Sequence, residues 1–179
     1  MREYFTTYPD KVMVMRLSAS EAGKLDFTLR PTAPFVRDYL TSPGDGKGKS
    51  GTVVAQGDTI TLSGTMDWFQ INYEAQYKVI PTGGTMTAQN DENGQNGTIT
   101  VSGADSAVIL LAVGTNYHMV SKTFTAGDKE KLDPEECPHE KVSQYIADAS
   151  AKSYEALKAA HLKDFQTYFA RVTLELGGA

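Results

Sequence analysis

Ala107–Val113 (AVILLAV) is the most apolar run in the chain, bounded by Asp105 and Gly114. Too short for a buried helix and flanked by turn residues, it is expected to be a central β-strand. The segments before it read the same way. Glu3–Tyr8 is rich in aromatic and β-branched residues, and Pro9-Asp10 turns it into Lys11–Ser18, a hairpin. Val12, Met13, Val14, Met15 and Leu17 form a nearly continuous apolar set, as in a strand covered on both faces. Leu25, Phe27 and Leu29 alternate with Asp26, Thr28 and Arg30, which predicts one wet face. Between Gln70 and Ile80, Ile71, Tyr73, Ala75, Tyr77 and Val79 point one way, and Asn72, Glu74, Gln76 and Lys78 the other. After Gly83-Gly84, Thr85–Gln89 is expected to pair with Thr98–Ser102 across the loop NDENGQNG. Strands joined by local hairpins, with no helix between them, close most economically as a β-sandwich.

The pattern changes near the C-terminal end. Lys122–Pro138 is polar and holds two prolines, Pro134 and Pro138, as expected of a linker. His139–Ala151 then carries Val142, Tyr145, Ile146 and Ala149 at helical spacing. A second helix is predicted from Ser153, its N-cap, with Tyr154, Leu157, His161, Phe165, Tyr168 and Val172 on one docking face. Val172–Leu176 reverts to alternation, a short strand returning to the sheet. The expected architecture is therefore mainly β: an incomplete antiparallel sandwich over residues 1–126, then a linker, two helices and a short strand over residues 127–179.

Charge narrows the classes of partner. Seventeen Lys and Arg against twenty-two Asp and Glu give a net charge of −5, with no basic stripe, so nucleic acid is not an expected partner. No stretch is long and apolar enough to span a bilayer, and MREYFTTYPDKV lacks the apolar run of a signal peptide. With Cys137 as the single cysteine, no internal disulfide forms.

Motifs for chemistry are sparse. Gly48-Lys49-Ser50 imitates the end of a phosphate-binding loop, but Pro43 stands where that motif needs glycine, and a strand rather than a helix follows. The segment from Thr32 to Gly51 therefore reads as a surface loop. Asp91, Asn93 and Gln95 alternate like calcium ligands, yet Asn96 replaces the required glycine and no closing glutamate follows, so a turn is the better reading. His118, His139 and His161 are far apart; Glu135, Glu136, Cys137 and His139 have no repeated ligand spacing, and neither metal nor cofactor is expected. His161 and Asp164 are three apart on a helix, but His161 sits in the apolar stripe and reads as packing. Trp68, Phe69 and Tyr73 could stack on a sugar ring, although aromatic residues in strands are more often core. Trp68 and Tyr117 are the two candidate carbohydrate platforms. No pair of acids is seen to converge as glycoside hydrolysis requires, so no catalytic residue is assigned.

Arg2–Leu17 (REYFTTYPDKVMVMRL), Tyr73–Ile80 (YEAQYKVI) and Gly103–Tyr117 (GADSAVILLAVGTNY) resemble, in that order, the N-terminal domain of glycoside hydrolase family 95. Ser153–Gln166 and Phe169–Gly177 are similar to the segment that joins that domain to its catalytic barrel, and the glycine-lysine loop is the main departure. The resemblance implies a parent enzyme that is an inverting α-L-fucosidase, some members acting on α-galactosides, with a large sandwich, linker helices, an α/α barrel and a C-terminal β domain. It further implies that the catalytic acid and the water-activating groups belong to the barrel, and that this chain begins after the family's opening strands. The expected role is non-catalytic support of the barrel, whose natural ligand is a fucosylated glycan. Two other readings are an autonomous carbohydrate-binding module and a scaffold module. A sandwich short of strands has exposed edges, so self-association is also expected.

Overall fold

A computed structural model describes residues 1–32, 49–66, 70–119, 131–174 and 177. Its described strands are β1 (Arg2–Thr7), β2 (Val12–Ser18), β3 (Leu25–Leu29), β4 (Lys49–Gln56), β5 (Thr59–Met66), β6 (Ile71–Thr82), β7 (Thr85–Gln89), β8 (Thr98–Ala104) and β9 (Ser106–Thr115). Two helices are described after them, α1 (His139–Ser150) and α2 (Tyr154–Phe169). Six strands form one antiparallel sheet in the order β1-β2-β9-β6-β5-β4, and three form a second in the order β3-β8-β7. The incomplete sandwich followed by helices is thus the observed architecture, with β9, the apolar run, between β2 and β6.

Period-two alternation decides what each face of the large sheet meets. On one face Val53, Ala55, Ile60, Val79 and Ile109 pack against Ile99, Val101 and Ala104 of the small sheet. On the other, Val12, Val14, Leu110 and Ala112 pack against Val142, Ile146 and Ala149 of α1 and Tyr154 and Leu157 of α2. Covering of β2 on both faces, legible in its continuous apolar set, follows from these three layers for Val12 and Val14 on one side and Met15 and Leu17 on the other, while Met13 is 39% exposed.

Two corners carry the chain between sheets. Gly84, at φ +69, leaves β6 for β7, and a Cβ there would lie 2.4 Å from the Ser102 carbonyl oxygen. Asp105 sits between β8 and β9, where its carboxylate accepts from the Gly23 amide at 2.7 Å and its own amide donates to Thr82 O at 2.8 Å. The turn after β1 is also pinned. Thr7 donates to buried Asp10 at 2.7 Å, and Lys152 from the α1–α2 connection reaches the same carboxylate at 2.5 Å, which raises the lysine's pKa.

The β7–β8 loop does more than turn the chain. Asn90 brackets Ala55 of edge strand β4, accepting from its amide at 2.8 Å and donating to its carbonyl at 2.9 Å. Gly97 N–H donates to Val53 O at 2.8 Å, and a Cβ at Gly97 would meet Ala55 N at 2.4 Å. Side chain and glycine together occupy backbone groups that an edge strand would otherwise present to another chain. Asp91 shapes this loop by accepting from the Gln95 and Asn93 amides at 2.8 and 2.9 Å and from Asn96 Nδ2 at 2.6 Å; these bonds, the Gln95 amide first, lower its pKa.

The helices depart from expectation at one end. Ser153 caps α2 through Ala156 N–H, and Tyr154 and Leu157 are buried, but Phe165 is 46% exposed and Tyr168 66%. Only the first half of the expected docking face is docked. The cause is geometric: α2 packs on β1, the last strand of its sheet, and its later turns run past the residues that could cover them. A row of rings runs along those turns instead, starting from Phe5 of β1 on His161 at 5.0 Å and continuing with His161 on Phe165 at 5.8 Å and Phe165 on Phe169 at 4.8 Å. The returning strand is not seen either. Residues 172–174 form no strand, Val172 and Leu174 are 82% and 80% exposed, and residues 175–176 lie outside the described residues. Alternation records a capacity to bury one face, and without a partner strand it produces no ladder.

Lys158 ties α2 to β1, donating to Glu3 at 2.7 Å. This bond lowers the Glu3 pKa below 4.5 and raises that of Lys158 above 10.5. With the folded carboxyl pKa depressed, the contribution is present above pH 4.5 and is lost as pH falls through the lowered value; with the folded lysine pKa raised, it is lost again as pH rises through that one. An acid titration followed by amide shifts should therefore move α2 signals at a midpoint below 4.5, and Glu3→Gln should abolish that step.

Candidate functional site

Polar residues on the helix-facing side of β6 would be wet in a bare sheet; here the segment before α1 covers them. Asn116, fully buried just after β9, donates from Nδ2 to Gln70 O at 3.1 Å and Asp133 O at 2.8 Å, and accepts from Asn72 N at 3.0 Å. Asn72 in turn donates from Nδ2 to Pro134 O and Glu136 O, both at 2.8 Å. An amide side chain suits this task because it offers donors and acceptor together, and backbone groups buried here need partners. Two asparagines thereby fasten residues 133–136 to the sheet.

One turn further along, Glu74 is a buried carboxylate with a side chain only 5% exposed. His139, the first residue of α1, brings Nδ1 to within 2.9 and 3.1 Å of its two oxygens, and Gln76 Nε2 donates to Oε1 at 2.6 Å. Gln76 Nε2 also donates to Ser143 Oγ at 2.8 Å, while Ser143 Oγ stands 3.4 Å from His139 Nε2. Carboxylate, imidazole and hydroxyl are thus in the order used for nucleophilic catalysis. The serine–histidine separation is too long for a well-formed hydrogen bond, and Gln76 already bridges both ends of the row. The arrangement acts as a clamp: it satisfies a buried charge while docking the first turn of α1.

The residues singled out by sequence are dispersed. Trp68 and Phe69 lie outside the described residues. Tyr73 is on β6, its hydroxyl donating to Ser50 O at 2.8 Å and its pKa raised by burial. Tyr117 is 39% exposed, and its backbone forms a single bridge with Leu132. Beside it His118 Nε2 meets Glu136 Oε2 at 2.5 Å. His161 is held in the ring stack of α2, and Cys137 is exposed. Among the described residues no group of three or more His, Cys, Asp or Glu converges to hold a metal ion. Sequence reading missed the clamp. Glu74 and His139 are 65 positions apart, and the one sequence signal, two polar residues on the alternating side of β6, is also what a solvated face looks like.

Comparison with known proteins adds what this geometry does not. Residues 1–120 match the family described as glycosyl hydrolase family 65, N-terminal domain. The chain is 33% identical over 178 residues, 98% of its length, to the probable alpha-fucosidase A of Aspergillus niger, and covers 20% of that protein. It is 27% identical over 194 aligned residues, 99% of its length, to alpha-L-fucosidase 2 of Arabidopsis thaliana, covering 21% of that one. The chain thus spans about a fifth of the length of the curated relatives it matches.

Proposed function

The chain belongs to the family of glycosyl hydrolase family 65 N-terminal domains, and from that membership we propose that it is the non-catalytic N-terminal part of an inverting α-L-fucosidase of the family 95 type. In this reading residues 1–126 serve as the sandwich and residues 127–179 as the connection to an α/α barrel, which binds the fucosylated glycan and carries the reacting groups. The observation that carries it is the match to a protein named a fucosidase over 98% of this chain, helices included. The clamp of Glu74, His139, Gln76 and Ser143 supports it, since it fixes the direction in which the chain leaves the sheet.

The purified chain alone is expected to turn over no aryl α-L-fucoside, whereas the parent polypeptide does. Turnover by the chain, abolished by substituting one of its own acids, would defeat the proposal.

A further inference from the structure

We propose that Asn93 is a site of spontaneous modification, deamidating through a cyclic imide to aspartate and isoaspartate, and that this conversion loosens the hold of the β7–β8 loop on β4. The chain contains two Asn-Gly pairs, Asn93-Gly94 and Asn96-Gly97, and both lie in this loop. The reaction favours such a pair because a residue without Cβ lets its nitrogen approach the preceding side chain. Hydroxide takes the Gly94 amide proton, and the nitrogen attacks Cγ of Asn93. The Cγ–Nδ2 bond breaks, ammonia leaves and the imide ring remains. Water opens that ring at either carbonyl, so that one amide and one water give one carboxylate and one ammonium. Solvent supplies everything the step consumes.

The fold treats the two pairs differently. Gly97 is buried, its amide donates to Val53 O of β4 at 2.8 Å, and a Cβ on it would lie 2.4 Å from Ala55 N, so its nitrogen is pinned against another strand. Asn96 is fixed as well, since Nδ2, the group that would leave, donates to Asp91 Oδ2 at 2.6 Å. A carboxylate so close also opposes the negative charge that develops as the ring closes. Asn90, the third asparagine of the loop, precedes Asp91 rather than glycine and has both ends of its side chain bound to Ala55. Asn93 and Gly94, in contrast, are exposed. A Cβ at Gly94 would meet nothing within 4 Å, and its amide donates back to Asp91 O at 2.9 Å, inside the same turn. Asn93 is held through its backbone, whose amide donates to Asp91 Oδ1 at 2.9 Å. At this pair the nitrogen has one local turn bond to break before it reacts.

The product matters because of where the loop is attached. Isoaspartate carries the former side-chain methylene in the main chain, which lengthens the turn that the Gly94 amide closes on Asp91. Either product adds a carboxylate to a turn that already holds Asp91 and Glu92. Both changes oppose the bonds by which Asp91 gathers the Asn93 and Gln95 amides and Asn96 Nδ2. Asn90 adjoins Asp91 in the chain, so its bracket on Ala55 is the contact that gives way.

Peptide mapping by mass spectrometry tests this on the purified chain aged in mildly alkaline buffer, with a second sample aged in concentrated urea. In buffer Asn93 should convert about tenfold or more faster than Asn96, the margin conferred by the bonds of the second pair to Val53 and Asp91 and by its crowding at Ala55. In urea the two should react at similar rates. Exchange of the Ala55 amide should quicken by about fivefold or more in the aged chain, and should not change in an aged Asn93→Ser variant, which has no amide to lose. Unchanged protection of Leu110 verifies that the sheet stays folded throughout. The proposal is overturned if Asn96 keeps pace with Asn93 in buffer, if Asn93 stays an amide in buffer while converting in urea, or if Ala55 exchange ignores the conversion. No sugar enters any of these measurements, so the fucosidase reading and this one fail separately.

Discussion

Asn116→Ala is expected to lower stability by about 2 to 4 kcal/mol, because it removes a fully buried side chain and strips partners from one part-buried amide and two part-buried carbonyls at once. The residue is fully buried, and its three hydrogen bonds join the ends of β6 and β9 to Asp133. In a chain of this size the thermal midpoint should fall by about 2 to 4 °C per kcal/mol. Asn116→Asp separates this account from one of mere volume: it keeps the shape and the acceptor but sets an oxygen against the two carbonyls that Nδ2 now serves, so it should not restore stability. A midpoint unchanged in the alanine variant would mean that water replaces the amide without cost.

Leu157→Ala should cost about 2 to 5 kcal/mol, since it empties a site between α2 and the large sheet. Leu157 is 1% exposed and belongs to the cluster with Val12, Val14 and Leu110. Phe165, two turns later on the same stripe, is 46% exposed and rests on other rings of its own layer, so Phe165→Ala should cost only about 1 kcal/mol. Paired denaturation curves decide the matter. Equal losses for the two variants would show that the second half of α2 is held as firmly as the first, contrary to the burial seen here.

Much of the fold was legible because the strands announce themselves locally. The β1–β2 hairpin needs only Pro9-Asp10 between two β-rich runs, and the β7–β8 hairpin only a glycine-rich loop at matching distance. The α1 stripe was legible too, since Val142, Ile146 and Ala149 are apolar and all find cover. What local pattern does not contain is where a neighbour ends. Tyr154 and Phe165 have the same spacing signature, yet one meets a sheet and the other runs past its edge strand. Nor does it contain which polar face is roofed. Asn72, Glu74 and Gln76 look solvated until a segment some sixty residues away closes over them. The clamp was therefore invisible in sequence.

The pairing of β2 with β9 has a consequence for synthesis on the ribosome. Met13 waits for Leu111, and nearly a hundred residues must emerge before the first hairpin can enter its sheet. At about 5 to 20 residues per second, that leaves a two-sided apolar strand unsheltered for several seconds. Strand β6 and the β4–β5 hairpin can assemble meanwhile, but they offer β2 no ladder, because β9 lies between. Nascent chains stalled just short of β9 should thus recruit holdase chaperones to the β1–β2 hairpin, and chains released past it should let them go.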